Sequence, residues 1–140
     1  MLSCTQTQLL DGKWGWETST GWTSGFFPGL LWQLGNFTGN SQFSKAAASF
    51  TAGRASEATD TSTHDVGFMV FGSFGNGVEY APEGTIDMAH YKSIIIQTAH
   101  SLAVRYNPVV GMTRSWGSNT DTKQFEVIID NLMNLELMFW

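Results

Sequence analysis

Residues 127–140 read Val127-Ile128-Ile129-Asp130-Asn131-Leu132-Met133-Asn134-Leu135-Glu136-Leu137-Met138-Phe139-Trp140, the most hydrophobic stretch of the chain. Two carboxylates, Asp130 and Glu136, sit inside it, and Asp130 has apolar residues immediately before it. Burying a carboxylate in apolar surface is costly unless it is paired, protonated or used chemically. Read as a helix beginning near Lys123, the run places Glu126, Asp130 and Asn134 at i, i+4 and i+8. Each step of four turns a side chain only about 40°, so these three are expected to form one polar stripe. A helix apolar on all its other faces is buried in its parent fold, and no Gly, Lys or Pro stop signal closes this one.

Working outward, a first helix is expected from Ser24 to Phe37, opening with Gly25-Phe26-Phe27-Pro28. Gly39 is its C-terminal signal and Ser41 the N-cap of an Ala-rich second helix reaching about Gly53. Their short connection makes an αα-hairpin. His64 to Phe74 reads as a third helix stopped by Gly75-Asn76-Gly77. Thr85 reads as the cap of a fourth, with Ile95, Ala99, Leu102 and Tyr106 at helical spacing. Residues 1–23 read as irregular, and Val109 to about Thr122 as a loop of a length that is usually functional. The expected architecture is all-α, with no convincing strand. Helices one, three and five are apolar and helices two and four amphipathic, an alternation that fits inner and outer layers of a helical barrel. The odd count leaves the fifth helix without an outer partner.

Hydrophobic residues make up 42% of the 140 and charged residues 14%, against about 25% charged in an average domain. Abundant Trp, Gly, Ser, Thr and Asn suit a protein that handles sugars. The net charge of −5 and the lack of a Lys/Arg cluster exclude a nucleic-acid partner. Cys4 is the only cysteine, so no internal disulfide forms. No signal peptide and no run able to span a membrane are evident, so a soluble, by default cytoplasmic, protein is expected. His64, His90 and His100 show no metal-ligand spacing, and no metal is expected. Gly72-x-x-Gly75-x-Gly77 follows a helical segment and is no dinucleotide loop; no organic cofactor is expected either.

Six residues carry candidate chemistry. Asp130 reads either as an acid aimed into a cavity, with the Asn134 amide to orient it, or as a structural Asp capping neighbouring backbone. Apolar surroundings favour the protonated form of a carboxyl, and that form is a proton donor. Asp65 opens the third helix and reads as ordinary capping or as a second catalytic carboxylate. His64 reads as a satisfied structural histidine or a site residue. Trp22 and Trp116 lie in polar loops, where an aromatic plane packs on sugar C–H faces or plugs the core. Arg114 can grip a carboxylate with two parallel bonds or stand solvated.

Taken together, the segments resemble the unsaturated glucuronyl hydrolases, glycoside hydrolase family 88. The carrying residues are Asp11-Gly12-x-Trp14, Trp22-Thr23-Ser24-Gly25-Phe26-Phe27-Pro28-Gly29, His64-Asp65-x-Gly67-Phe68-Met69, Tyr106-Asn107-Pro108, Arg114-Ser115-Trp116 and Ile128-Ile129-Asp130-Asn131-x-Met133-Asn134-Leu135. The resemblance implies that residues 1–140 form a partial (α/α)6 barrel, the N-terminal half, truncated at both ends. It implies release of 4,5-unsaturated uronic acid from the non-reducing end of lyase-generated oligosaccharides. Asp130 would protonate C4 of the vinyl ether and help water attack C5, and Asp65 would be the second carboxylate, either a nucleophile or, the favoured reading, the group positioning Asp130 and the water. Trp22, Trp116, His64 and Arg114 would bind substrate, with neither metal nor organic cofactor. The alternative is an inactive remnant that binds sugar or completes its barrel by oligomerising.

Overall fold

Gly39 turns left-handed (φ 68°) and returns its N–H to the carbonyl of Gly35, ending the first helix in an αL cap. The computed structural model describes residues 4–8, 12 and 14–140. In it this helix is α1, Phe26–Thr38, followed by α2, Ser41–Ala52. The cap of α2 is Asn40 rather than Ser41; its side chain accepts from the Gln42 N–H. The pair forms the expected αα-hairpin.

The third helix, α3, is composite. A π-helix, Gly67–Gly75, runs directly into an α-helical segment, Asn76–Tyr80. Gly75-Asn76-Gly77 therefore does not stop it. Gly77 lies against the Tyr91 and Trp32 rings, where any Cβ would collide; close packing, not termination, explains the residue. π-turns are rare and concentrate at functional sites, and this one begins directly after His64-Asp65. Helix α4, Met88–Ala103, is shorter than expected at both ends, because Asp87 rather than Thr85 caps it, accepting from the His90 N–H at 3.0 Å.

The fifth helix departs most from expectation. Helix α5 covers only Asn131–Asn134 and passes into a 3₁₀ turn, Leu135–Met138. Residues 125–129 are not helical. Val127-Ile128-Ile129 are β-branched and favour extended backbone. That backbone finds partners at Ser115, whose N–H donates to the Glu126 carbonyl and whose Oγ accepts from the Ile128 N–H. Glu126 is thus not on a stripe with Asp130 and Asn134. Strands also occur where none was expected. β1 (Cys4–Gln8) pairs antiparallel with β2 (Trp14–Glu17), and β3 (Tyr106–Asn107) pairs with β4 (Met112–Thr113) inside the anticipated loop region.

Helix α1 packs on α2 and α3, and α4 packs on α3. The core centres on Trp32, Val66, Met69, Phe74, Ile95 and Leu102. Helix α3 is buried along most of its π segment, as an inner helix should be, while α2 and α4 bury one face each. An open groove lined by Phe26, Leu30, Phe68, Phe71, Met133 and Trp140 runs beside α1 and α3. Among the described residues no helix is long and apolar enough to cross a membrane. Asp11 and Lys13 fall outside the described residues.

Two predictions follow the packing. A Cβ at Gly67 would strike the backbone of Asn134, whereas one at Gly72 meets its nearest neighbour at 3.6 Å, ordinary contact. Gly67→Ala is expected to cost about 1–3 kcal/mol in urea unfolding, the usual range for overpacking, and Gly72→Ala much less. Equal losses would contradict the packing. Tyr91 is buried, and burial pushes its phenol up to about 12, opposed by its bond to Thr51. The unfolded phenol ionises near pH ~10, so this contribution is fully present below that pH. It is lost as pH rises through about 12. Tyr91→Phe is expected to flatten the alkaline loss of helical circular dichroism between those values; an unchanged profile would refute the assignment.

Candidate active site

The site is assembled where α3 and α5 begin. His64 and Asp65 occupy the turn entering the π-helix, and Asp130 immediately precedes α5. The His64 N–H donates to the Ser115 carbonyl at 3.1 Å, tying this turn to the segment after β4. The Thr63 hydroxyl donates to Asp65 Oδ2 at 2.7 Å while accepting from the Asp65 N–H at 3.1 Å. One oxygen of Asp65 is thereby fixed and the other, Oδ1, faces His64 Nε2 at 3.3 Å. Asp130 Oδ2 lies 3.8 Å from the same Nε2. Two carboxylates from distant parts of the chain thus converge on one imidazole nitrogen.

Burial grades the three groups. His64 is fully buried, Asp65 is 14% exposed and Asp130 34% exposed. Asp130 is therefore the carboxylate most open to an incoming molecule. Neither carboxylate caps its helix: α3 and α5 both lack a side-chain cap bond at their N-termini, so the capping alternative does not hold. Asp130 Oδ1 and His64 Nε2 are buried atoms without a hydrogen-bond partner. Unsatisfied buried polar atoms are uncommon in native proteins, and strain, catalysis or a bound water or ion accounts for them; Thr23 and Ser44 hold two others.

Trp116 stands edge-on to the His64 ring, centroids 5.6 Å apart at 79°, with much of its indole exposed. Trp22, about half exposed, contacts Phe26 and Phe68 at 6.0 Å each. Phe68 lies three residues after Asp65, so Trp22 is linked to the first turn of α3 through that ring. The structure therefore gathers Asp65, Asp130, His64 and Trp116, with Trp22 joined through Phe68. His64, being fully buried, touches the carboxylates and Trp116 rather than offering an open surface to substrate.

Arg114 is not part of this group. It is buried and donates to the carbonyls of Gln124 and Asp121 at 2.6 and 2.7 Å, its guanidinium 4.4 Å from the Phe125 ring centroid. It neither grips a carboxylate side chain nor stands solvated, as the sequence alternatives had it; its donors satisfy loop backbone. Asn134 likewise orients no carboxylate. Its Oδ1 accepts from the Phe68 N–H at 2.8 Å and its Nδ2 reaches the Asp130 carbonyl.

Two residues that carry the geometry have no sequence reading of their own. Asn131 bonds His64 Nδ1 at 3.0 Å and donates to the Thr113 carbonyl at 2.7 Å. Arg105, buried, donates to the carbonyls of Arg114, Thr61 and Gly117. Burial, then the neighbouring Arg114 charge, lowers its pKa from the ordinary arginine value. The only sequence signal for Asn131 is its place beside Asp130. His64, Asp65 and Asp130 also present atoms within 4.8 Å of one another that a cation could use. Exposed acidic groups are common without an ion.

No protein-family model matches the sequence. The unsaturated glucuronyl hydrolase of Formosa agariphila is 46% identical over 121 residues, 86% of this chain and 29% of that protein. The enzyme of that name from Bacillus sp. strain GL1 is 27% identical over 134 residues, 93% of this chain and 34% of that protein. The crystal structure of an unsaturated glucuronyl hydrolase specific for heparin matches with a TM-score of 0.87 and 36% identity, over 99% of this chain and 35% of that one. The chain spans about a third of the length of these relatives, and its five helices share their α/α-barrel architecture.

Arg105→Met is expected to leave the Arg114 and Gly117 carbonyls unpaired, while Thr61 keeps the Asn119 amide, and to cost about 2–3 kcal/mol of stability, since each orphaned buried acceptor carries a penalty of about 1–3 kcal/mol, partly relieved by water. Hydrogen exchange at residues 113–117 should rise in parallel. Unchanged exchange there would show that Arg105 does not hold the segment under His64.

Proposed function

We propose that this chain, a homologue of the unsaturated glucuronyl hydrolases, carries the acid–base centre of a glycoside hydrolase. The enzyme releases 4,5-unsaturated uronic acid from the non-reducing end of lyase-generated oligosaccharides. One observation supports this above the others: Asp130 and Asp65 converge on a single buried imidazole beside exposed Trp116. An acid, a second carboxylate and an aromatic wall are what hydration of a sugar vinyl ether needs, and none of these steps calls on a metal or organic cofactor.

The reaction differs from displacement at the anomeric carbon between two carboxylates. Asp130 in its acid form gives its proton to C4, and electron demand develops at C5. Water adds at C5 and returns a proton to the Asp130 carboxylate, restoring the acid. The C5 hemiketal then opens, and the remaining sugar leaves from C1. Asp65, held by Thr63, orients Asp130 and the water rather than forming a bond. Trp22 and Trp116 form the walls of the sugar subsite. Arg114 does not contact substrate; it keeps the Trp116 loop in place.

The same reading makes residues 1–140 part of an (α/α)6 toroid, whose further helices would cover the groove beside α1 and α3. That open apolar groove also favours a second reading, in which copies of the chain pair over it. Sedimentation separates the two: a monomer across the micromolar range counts against pairing.

The protein carrying this sequence is expected to bleach the ultraviolet band of an unsaturated uronyl disaccharide. Asp130→Asn should slow this by at least about 10²-fold, the lower range for loss of a general acid. Trp22→Ala should raise KM by roughly 2–10-fold, matching the ~0.5–1.5 kcal/mol of an aromatic contact. Full activity in Asp130→Asn would overturn the assignment.

A further inference from the structure

Asn131 determines the protonation pattern of the whole centre. Its side-chain amide meets two groups: the Thr113 carbonyl at 2.7 Å and His64 Nδ1 at 3.0 Å. A carbonyl only accepts, so the amide nitrogen must face Thr113 and the amide oxygen must face the ring. An amide oxygen also only accepts, so His64 Nδ1 must carry a hydrogen. Thr113 cannot turn away, because β4 pairs it with Tyr106 of β3. The ring is fully buried, and Nε2 has no hydrogen-bond partner.

In a neutral ring with Nδ1–H, Nε2 presents a lone pair. Facing it are Asp65 Oδ1 at 3.3 Å and Asp130 Oδ2 at 3.8 Å. If both carboxylates were ionised, three acceptor atoms would meet with no hydrogen between them, which is repulsive. A single proton on any one of the three atoms resolves this. We infer that His64 is a positioning residue locked by Asn131 and Thr113 with its hydrogen on Nδ1, so that its Nε2 shares one proton with Asp65 and Asp130.

This deepens the proposed function and rests on it only for its consequence. When Asp130 gives its proton to C4, Nε2, Asp65 and Asp130 are left facing one another as acceptors with no hydrogen between them, an arrangement that favours taking a proton back. When water returns a proton, the cluster regains its starting count, so the cycle balances. The titratable groups against the ring are Asp65 on its own turn and Asp130 ahead of α5. Trp116 and Asn131 are the neutral neighbours, and Asp65 is among the charges that act on Arg105.

Nitrogen-15 NMR of the histidine-labelled chain tests the lock without needing turnover. His90 and His100 are exposed and give comparison signals from solvent-facing rings. In the folded chain His64 is expected to show a protonated Nδ1. Asn131→Leu should lose the Nδ1–H signature. Asn131→Asp, which keeps an acceptor oxygen, should retain it and covers the case in which the leucine variant does not fold. A neutral His64 protonated on Nε2 in the unsubstituted chain would overturn the inference, as would a signature unchanged in a folded Asn131→Leu. If the signature holds while disaccharide is not bleached, the proposed function fails and the lock stands. Bleaching with the wrong tautomer gives the reverse.

Discussion

The bond from the Asn131 amide to the Thr113 carbonyl, 2.7 Å long, sets the direction of every contact around it. It points the amide oxygen at His64, places a hydrogen on Nδ1 and leaves Nε2 facing both carboxylates. The residues involved come from three places: the turn before α3, the short β3–β4 ladder and the start of α5. Each is secured by backbone elsewhere. Ser115 ties to both His64 and Glu126, Arg105 grips three loop carbonyls, and Gly67 lets α3 approach Asn134. The site is built at the meeting of loops, but the loops are satisfied by buried bonds rather than left free.

The helical layers were legible in the sequence because they obey simple periodicity. The αα-hairpin and its Gly39 terminator follow from spacing and turn chemistry, and α2 and α4 are recognisable as one-sided helices. The inner helix α3 was harder. Its glycines look like stop signals, yet they allow α1, α4 and α5 to come close. A glycine's role as punctuation or as packing space depends on what lies opposite, and that is a tertiary fact. The closing segment misled for a related reason: period alone made one helix of the run that begins near Lys123. Three consecutive β-branched residues with partners at Ser115 kept the first part extended.

Much of the site was legible too, although for mixed reasons. Asp130 stood out energetically and Asp65 by position, and the family resemblance joined them. Their nearness to one imidazole is visible only in three dimensions. Arg114 shows the limit of residue type as evidence. A guanidinium suits a carboxylate or a sugar acid, but here the nearest acceptors are its own loop's carbonyls, and burial makes satisfying them the stronger demand. Asn131 drew no reading because an amide beside an Asp carries no signal until its two partners are known.

Turnover of an unsaturated uronyl disaccharide in D2O asks directly whether this centre protonates carbon. Proton delivery from Asp130, fixed on one side of the sugar, predicts that product sampled in the first turnovers carries one deuterium at C4, in a single configuration. Product with no deuterium on carbon, or with deuterium divided equally between the two faces of C4, would contradict it.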